Sequence, residues 1–443
     1  MNINIQKALK FHKDGNLKDA EIFYRKILKS DPKLSFIHLN LGVLLFGLGR
    51  FNDAELSMKK AIELKPDYPE AYNTLGTVLQ KIKKTNEAEA CVKKALKLKK
   101  DFPEAYINLS KILQETGRLE EADEIYKKAI KLNSNLSIFL KGYSRNISFM
   151  ETAKYAVKKL EKLCLEYDDK NNSAIKLPLA IHYFLNGDLN NSKKLVNSYF
   201  ANPSNIQKIK NKDGDNYWVW LNYLLDYHEK IEQHNETNFQ SNTLYVIGDS
   251  HALSSYGIKI KKSKNNFLSK CEWIWGCKQW HLQKAHNNKF KYKFEKIISS
   301  IPLKSEILMS VGEIDCRINE GILFYNKKNP KEDINLLIEK TINGYLSYIV
   351  DTVLPYDHKI TIQGIPCPNL DKSKTNELDI LNLAELIKKF NKVLKTKSMS
   401  FGFDFLDLGV ITDNGEGISN KIWHIDQYHI SPSGIKEAWQ KQF

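Results

Sequence analysis

The stretch Asn40–Asp67, NLGVLLFGLGRFNDAELSMKKAIELKPD, is followed 34 residues later by a second copy of its own pattern. Leu41, Gly42, Leu45, Ala54, Met58 and Ala61 become Leu75, Gly76, Leu79, Ala88, Val92 and Ala95. A further step gives Leu109, Ser110, Leu113, Ala122, Tyr126 and Ala129, and one step back gives Ala8, Phe11, Ala20, Tyr24 and Ile27. The first three positions of each set fall on one helical face and the last three on the face of a second helix. Small residues at fixed places let the two helices approach closely, and LGRFNDA and TGRLEEA supply the turns between them. Such a period predicts stacked helical hairpins that bury their apolar faces only against neighbours.

Four matches at one spacing resemble the tetratricopeptide repeat, a 34-residue helix–turn–helix unit. The resemblance implies a solenoid over residues 1–136 whose concave surface takes a protein or peptide partner. Residues 137–235 keep a helical pattern without the period. Within them LPLAIHYFLNGDLNNSKKLVNSYF, Leu177–Phe200, reads as a degenerate repeat. NYWVWLNYLLDYHEKI, Asn216–Ile231, reads as a capping helix, with Trp218, Trp220, Tyr223 and Tyr227 expected in the core or in inter-domain packing. The polar stretch that follows supplies a linker at 236–242.

Residues 243–443 alternate differently. LYVIG (244–248), EILMSVG (306–312), KITIQGIP (359–366) and FDFLDLG (403–409) read as strands with helical stretches between them. That alternation predicts a parallel sheet covered by helices, with the functional site beyond the carboxyl ends of the strands. Ser250 stands just after the first strand, in VIGDSH, at the start of a helix whose N-terminus favours negative charge. A serine hydroxyl needs a positioned base, and the base needs an orienting group. WHIDQYHISPSG, 423–434, offers Asp426 and His429 three residues apart. The alternatives are a capping role for Asp426 and a satisfied buried imidazole for His429.

Taken together, VIGDSH and DQYHISPSG resemble the SGNH (GDSL-type) hydrolase superfamily, above all its polysaccharide O-acyltransferase and acetylesterase domains. The resemblance covers the roughly 200 residues of 243–443. It implies a flavodoxin-like α/β/α domain with a parallel sheet, Ser250 as nucleophile, His429 as base and Asp426 as its partner, with no cofactor. In the family the oxyanion hole combines the serine amide, a glycine amide and an asparagine of Gly-x-Asn-Asp. The matching segment is SVGEIDCR, 310–317, where Gly312 and Asp315 fit but Ile314 holds the asparagine place. Gly276 is the candidate glycine and Gly257 the alternative. Asp249 and His251 flank the serine. Glu313 beside an oxyanion would repel it, so it must point away, be neutralised or pair with Arg317; Lys278 or Arg317 could stand in for the missing donor. Equally, Glu313, Asp315 and Arg317 form a structural ion-pair cluster.

Composition bounds the rest. The net charge of +15 is concentrated in residues 1–100 (20 Lys/Arg against 11 Asp/Glu) and 251–300 (11 against 2). Basic stretches attract acidic partners, and the second would favour an acidic substrate. Few aromatics interleave with the lysines, so nucleic acid is not the expected partner. Apolar runs fall far short of the ~20 residues of a membrane span, and no secretory signal opens the chain; a cytoplasmic protein is expected. The six cysteines at 91, 164, 271, 277, 316 and 367 lack metal-type spacing and are expected as reduced structural thiols. The expected function is a serine esterase or O-acyltransferase acting on an acylated carbohydrate or small ester. Its rivals are a scaffold with a degenerate, non-catalytic second domain and, last, a glycosyltransferase, for whose two lobes 200 residues are too few.

Overall fold

The computed structural model describes residues 3–132, 136–167, 169–210, 217–232, 241–371 and 373–443. They fall into two compact units that meet at Asn146 and Ile147. The first is a row of helical hairpins: α1 (Ile3–Lys13) with α2 (Leu17–Ser30), α3 (Ser35–Gly47) with α4 (Phe51–Leu64), α5 (Pro69–Lys81) with α6 (Thr85–Leu98), and α7 (Pro103–Glu115) with α8 (Leu119–Lys131). The next helix, α9 (Leu136–Met150), runs across the division. Pro69 and Pro103 open their helices, where a missing N–H costs nothing. The alanines at 8, 20, 54, 61, 88, 95, 122 and 129 are all fully buried, as the 34-residue period requires.

The small positions mark where the helices of a hairpin touch. A Cβ on Gly42 would lie 2.6 Å from Met58 Cε, and one on Gly76 would lie 2.5 Å from Val92 Cγ2. An ion pair recurs with the same period and links successive hairpins: Glu21 with Arg50 at 2.8 Å, Glu55 with Lys84 at 3.1 Å, and Glu89 with Arg118 at 2.7 Å. These cations are largely exposed, so each pair adds at most about 1 kcal/mol; packing carries the stack.

The second unit begins with α10 (Ala153–Glu166), α11 (Asp169–Leu185), α12 (Leu189–Phe200), α13 (Pro203–Lys210) and α14 (Tyr217–Glu232). Six strands follow: β1 (Asn242–Gly248), β2 (Lys259–Lys262), β3 (Asn265–Trp273), β4 (Glu306–Ser310), β5 (Lys359–Gln363) and β6 (Asp404–Leu406), in the order β2-β3-β1-β4-β5-β6. Of the linker expected at 236–242, residues 236–240 lie outside the described residues, and Asn242 already opens β1. The helices before it share one hydrophobic core with the sheet: Ala180, Phe184, Trp220 and Leu224 pack in the same cluster as Val246, Phe267, Leu308 and Trp439. The remaining helices are α15 (Ser250–Leu253), α16 (Gln279–Gln283), α17 (Lys289–Ser300), α18 (Ile322–Lys328), α19 (Ile334–Val353), α20 (Glu377–Ser400), α21 (Gly409–Thr412) and α22 (Pro432–Gln442).

The expected parallel sheet is in fact mixed. β3, β1, β4, β5 and β6 run parallel, but β2 folds back antiparallel on β3. It is also curled. Lys262 of the β2 edge reaches Glu306 at 2.9 Å, Thr361 at 3.2 Å and Asp404 at 2.8 Å, on β4, β5 and β6. In a flat sheet five strand spacings would separate β2 from β6 by roughly 24 Å. The basic stretch after the serine therefore has structural work: part of it is this edge hairpin, and Lys293 and Lys296 of α17 donate to the carbonyls of Glu151 and Met150. Among the described residues no helix is long and apolar enough to cross a membrane.

The two glycine contacts should respond differently to alanine. In both cases helix propensity gains about 1 kcal/mol. Met58 Cε is the free end of a flexible side chain and can move, so Gly42→Ala is expected to be near neutral. The Gly76 Cβ would meet a branched valine and also the Ala88 carbonyl at 3.1 Å, and overpacking of that kind costs ~1–3 kcal/mol. Urea denaturation followed by helical circular dichroism should show Gly76→Ala as the less stable of the two.

Candidate active site

β1 runs into a turn that admits no side chain. A Cβ on Gly248 would lie 2.0 Å from the Ser310 carbonyl of β4, so only glycine lets the two strands pair up to their ends. Asp249 then caps α15, its Oδ1 accepting from the His251 amide at 3.0 Å. That helix is a single turn of four residues, so it brings little of the macrodipole expected at the serine.

The chain's last loop meets this turn. Asp426 Oδ1 accepts from the amides of Tyr428 (2.7 Å) and His429 (2.8 Å), and Oδ2 accepts from His429 Nδ1 at 2.7 Å. The Ile425 amide closes the loop on the His429 carbonyl at 2.8 Å. Ser250 Oγ lies 2.9 Å from His429 Nε2. With its Nδ1 proton given to Asp426, the imidazole is left to accept the serine proton at Nε2. Burial works against the Asp426 charge, but the His429 ring and the loop amides hold its carboxyl well below the usual range. The Trp220 indole of α14 stacks on the His429 ring, centroids 4.8 Å apart and tilted by 25°. Trp220 was expected merely to pack; it packs, but against the His429 ring. Its sequence signal was no more than an amphipathic helix.

Exposure falls from one end of this chain of bonds to the other. Ser250 is 2% exposed, against 13% for the His429 side chain and 39% for that of Asp426. The turn and the loop thus come together with the serine at the buried end.

The flanking residues divide into engaged and free donors. His251 is buried; its Nδ1 lies 3.3 Å from Asp249 Oδ1 and its Nε2 2.9 Å from the Tyr428 carbonyl. Burial opposes its charge, yet the hydrogen bond and charge of Asp249, the charge of Glu313 and the Tyr428 carbonyl push it up to about 9. Glu313 pairs with Arg317, both oxygens 2.9 Å from Nε, and the guanidinium lies 4.5 Å over the Tyr428 ring. Lys278 turns to Glu320 at 3.3 Å, so neither cation is free to replace a donor. Asp315 is a helix cap: it accepts from the amides of Gln279 (2.7 Å) and Trp280 (3.2 Å), and burial pushes it up to about 7 against those bonds.

Ile314 is buried apolar bulk in the asparagine place. Gly312 has φ +140° and packs against Gln279, whose Nε2 would lie 2.8 Å from an added Cβ. Of the candidate glycines, Gly257 spends its amide on the Ser269 carbonyl at 3.0 Å. Gly276, at φ +67° in the turn closed by Cys277 N and Ile274 O, has an amide without an acceptor among the described residues. Among those residues no group of three or more His, Cys, Asp or Glu is arranged to hold a metal ion.

Comparison with known proteins speaks to the first unit. Family models described as tetratricopeptide repeat match residues 37–68 and 103–136, and a second such model matches 58–90. The N-terminal hairpins are tetratricopeptide repeats. All of the matched residues precede the candidate site. Among solved structures the chain is similar to the MamA protein, at 27% identity over 36% of this chain and 87% of that one, with a TM-score of 0.34. It is also similar to the first TPR of Spaghetti (RPAP3) bound to an HSP90 peptide, at 28% identity over 25% and 89%, TM-score 0.25. A third is MamA from Desulfovibrio magneticus RS-1, at 19% identity over 36% and 91%, TM-score 0.34. Comparison with curated proteins gives no match.

A buried histidine whose two ring nitrogens face acceptors ties stability to pH. His251 is raised from 6.5 to about 9, so its contribution is complete below the ordinary value and is lost as pH rises through the raised one. The shift corresponds to about 3 kcal/mol. The urea midpoint of the wild type should fall between pH 6.5 and 9 by an amount that His251→Gln does not show.

Proposed function

We propose that the second unit is a serine esterase or O-acyltransferase that acts on an acylated carbohydrate or other small ester, and that the repeats recruit it to a partner protein or peptide. The observation that carries this reading is the continuous hydrogen-bonded path from Ser250 Oγ through His429 to Asp426, at 2.9 and 2.7 Å. Ser250 attacks the ester carbonyl while His429 Nε2 takes its proton; Asp426 keeps the ring in the required tautomer and stabilises the imidazolium. His429 then protonates the leaving alkoxide, and water or a sugar hydroxyl releases the acyl group. The five parallel strands, taken alone, follow the order 2-1-3-4-5 of a flavodoxin-like sheet, which favours the SGNH assignment. For the repeats, stacked hairpins build the extended concave surface such proteins use for binding.

The oxyanion falls to the Ser250 and Gly276 amides. A hole short of one donor forgoes about 3–4 kcal/mol of transition-state stabilisation, so this enzyme is expected to be slower than relatives that keep the asparagine. Two observations favour a second reading, a scaffold whose second unit no longer reacts: Ile314 in the donor place and the 2% exposure of Ser250.

A fluorophosphonate probe separates the two. Wild type should label covalently, Ser250→Ala and His429→Ala should not, and Asp426→Asn should label on the order of 10⁴ times more slowly. A folded wild type that stays unlabelled would sink the enzyme reading and leave the scaffold.

A further inference from the structure

We propose that His251 is a positioning residue: donating from both ring nitrogens, it ties the turn that carries Ser250 to the loop that carries His429. The proposal rests on the hydrolase reading for its catalytic consequence, but the tie itself stands on geometry. One ring nitrogen faces a carboxylate oxygen of Asp249 at 3.3 Å and the other the Tyr428 carbonyl at 2.9 Å. Neither acceptor has a hydrogen to give. A neutral imidazole has one N–H and would set a lone pair against one of them, so only the doubly protonated ring satisfies both. The side chain is 4% exposed and Asp249 1%, leaving water little room to make up the difference. Among the described residues Asp249 Oδ2 has no hydrogen-bond partner, and the carboxylate's hydrogen bonds come from the His251 amide and ring.

The two ends of the tie are the two halves of the site. Asp249 immediately precedes the nucleophile and caps its turn; Tyr428 immediately precedes the base. The His251 ring also lies 4.9 Å from the His429 ring, tilted by 31°. Titratable groups face it from every side: Asp249 on its own turn, Glu313 from the segment after β4, and His424, Tyr428 and His429 from the last loop. Glu313 is already paired with Arg317, and burial lowers His424 to about 4, so it adds no competing cation at neutral pH. As pH rises through about 9 the ring gives up one proton and one of the two bonds must go. A misplacement of about 1 Å at a reacting pair costs on the order of 10²-fold in rate, so loss of the tie should be visible in acylation.

The test uses the full chain with ¹⁵N-histidine, as wild type and His251→Gln. It reads the protonation of both His251 nitrogens, the downfield Nδ1 proton of His429, and fluorophosphonate acylation from pH 6 to 10. The expected result is a doubly protonated His251 at pH 7.5 that titrates near 9. The His429 proton and the acylation rate should fall with that same midpoint, the rate by about tenfold or more. In His251→Gln acylation should already be lower at pH 7.5 and should lack the alkaline fall. A wild-type ring carrying one proton at pH 7.5 overturns the proposal, and needs no variant to fold. So does a variant with an unchanged His429 proton and an unchanged pH profile. If the wild type is not acylated while His251 and the His429 proton still titrate together, the hydrolase reading fails and the tie stands.

Discussion

One hydrogen bond joins residues 179 positions apart, Ser250 Oγ to His429 Nε2, and the architecture of the second unit is what allows it. Gly248 lets β1 and β4 pair to their ends, so the turn after β1 is placed at the sheet's carboxyl edge rather than displaced by a side chain. The last loop returns to that edge because α22 packs its Ile435, Ala438 and Trp439 into the core that holds β1 and β3. The curl contributes as well. It brings the β2 edge within reach of β4, β5 and β6 through Lys262, and the Ser263 amide binds the carbonyl of Phe443 at 3.2 Å. The chain end is thereby fastened to an edge hairpin.

The repeats were legible because a solenoid has little choice. Each hairpin must meet the next through the same small and large positions, and the code therefore recurs: Gly42 against Met58, Gly76 against Val92. The serine and its partners were legible for another reason, since Gly-Asp-Ser and Asp-x-x-His carry their geometry locally: a strand-end turn and a loop whose carboxylate folds back on its own histidine. The β2–β3 hairpin was not seen because lysines dominate it, although Phe267, Ser269, Cys271 and Trp273 alternate inward as an edge strand should. Asp315 was placed with the site by motif, but its carboxylate is spent on the amides of α16. A helix cap of that kind, reaching 36 residues back along the chain, leaves no local sequence mark. Trp220 was hidden likewise, because nothing on an amphipathic helix says which buried group its aromatic ring will cover.

The carboxylates around the serine each have a hydrogen-bonding partner. Asp426 is bound to His429, Glu313 to Arg317 and Asp249 to His251. A buried carboxylate left without any partner costs several kcal/mol, so these bonds contribute to the stability of the site. The pairing also engages the side-chain cations close to the turn. Arg317 and Lys278 are held by glutamates, and both His251 nitrogens face acceptors. On the proposed reading a developing oxyanion falls to backbone, the Ser250 and Gly276 amides. Backbone donors of this kind are fixed by the fold and need no reorganisation when charge appears. On the proposed reading, then, Ile314 changes the character of the site as well as its strength. Stabilisation that an asparagine would share falls on two amides, and their placement depends on the turn after β1 and the turn after β3. His251 bears on the first of these, since it holds Asp249, and on the base through Tyr428. A site with fewer donors depends more heavily on how firmly the remaining ones are held, and on the proposed reading His251 is the element that couples nucleophile to base.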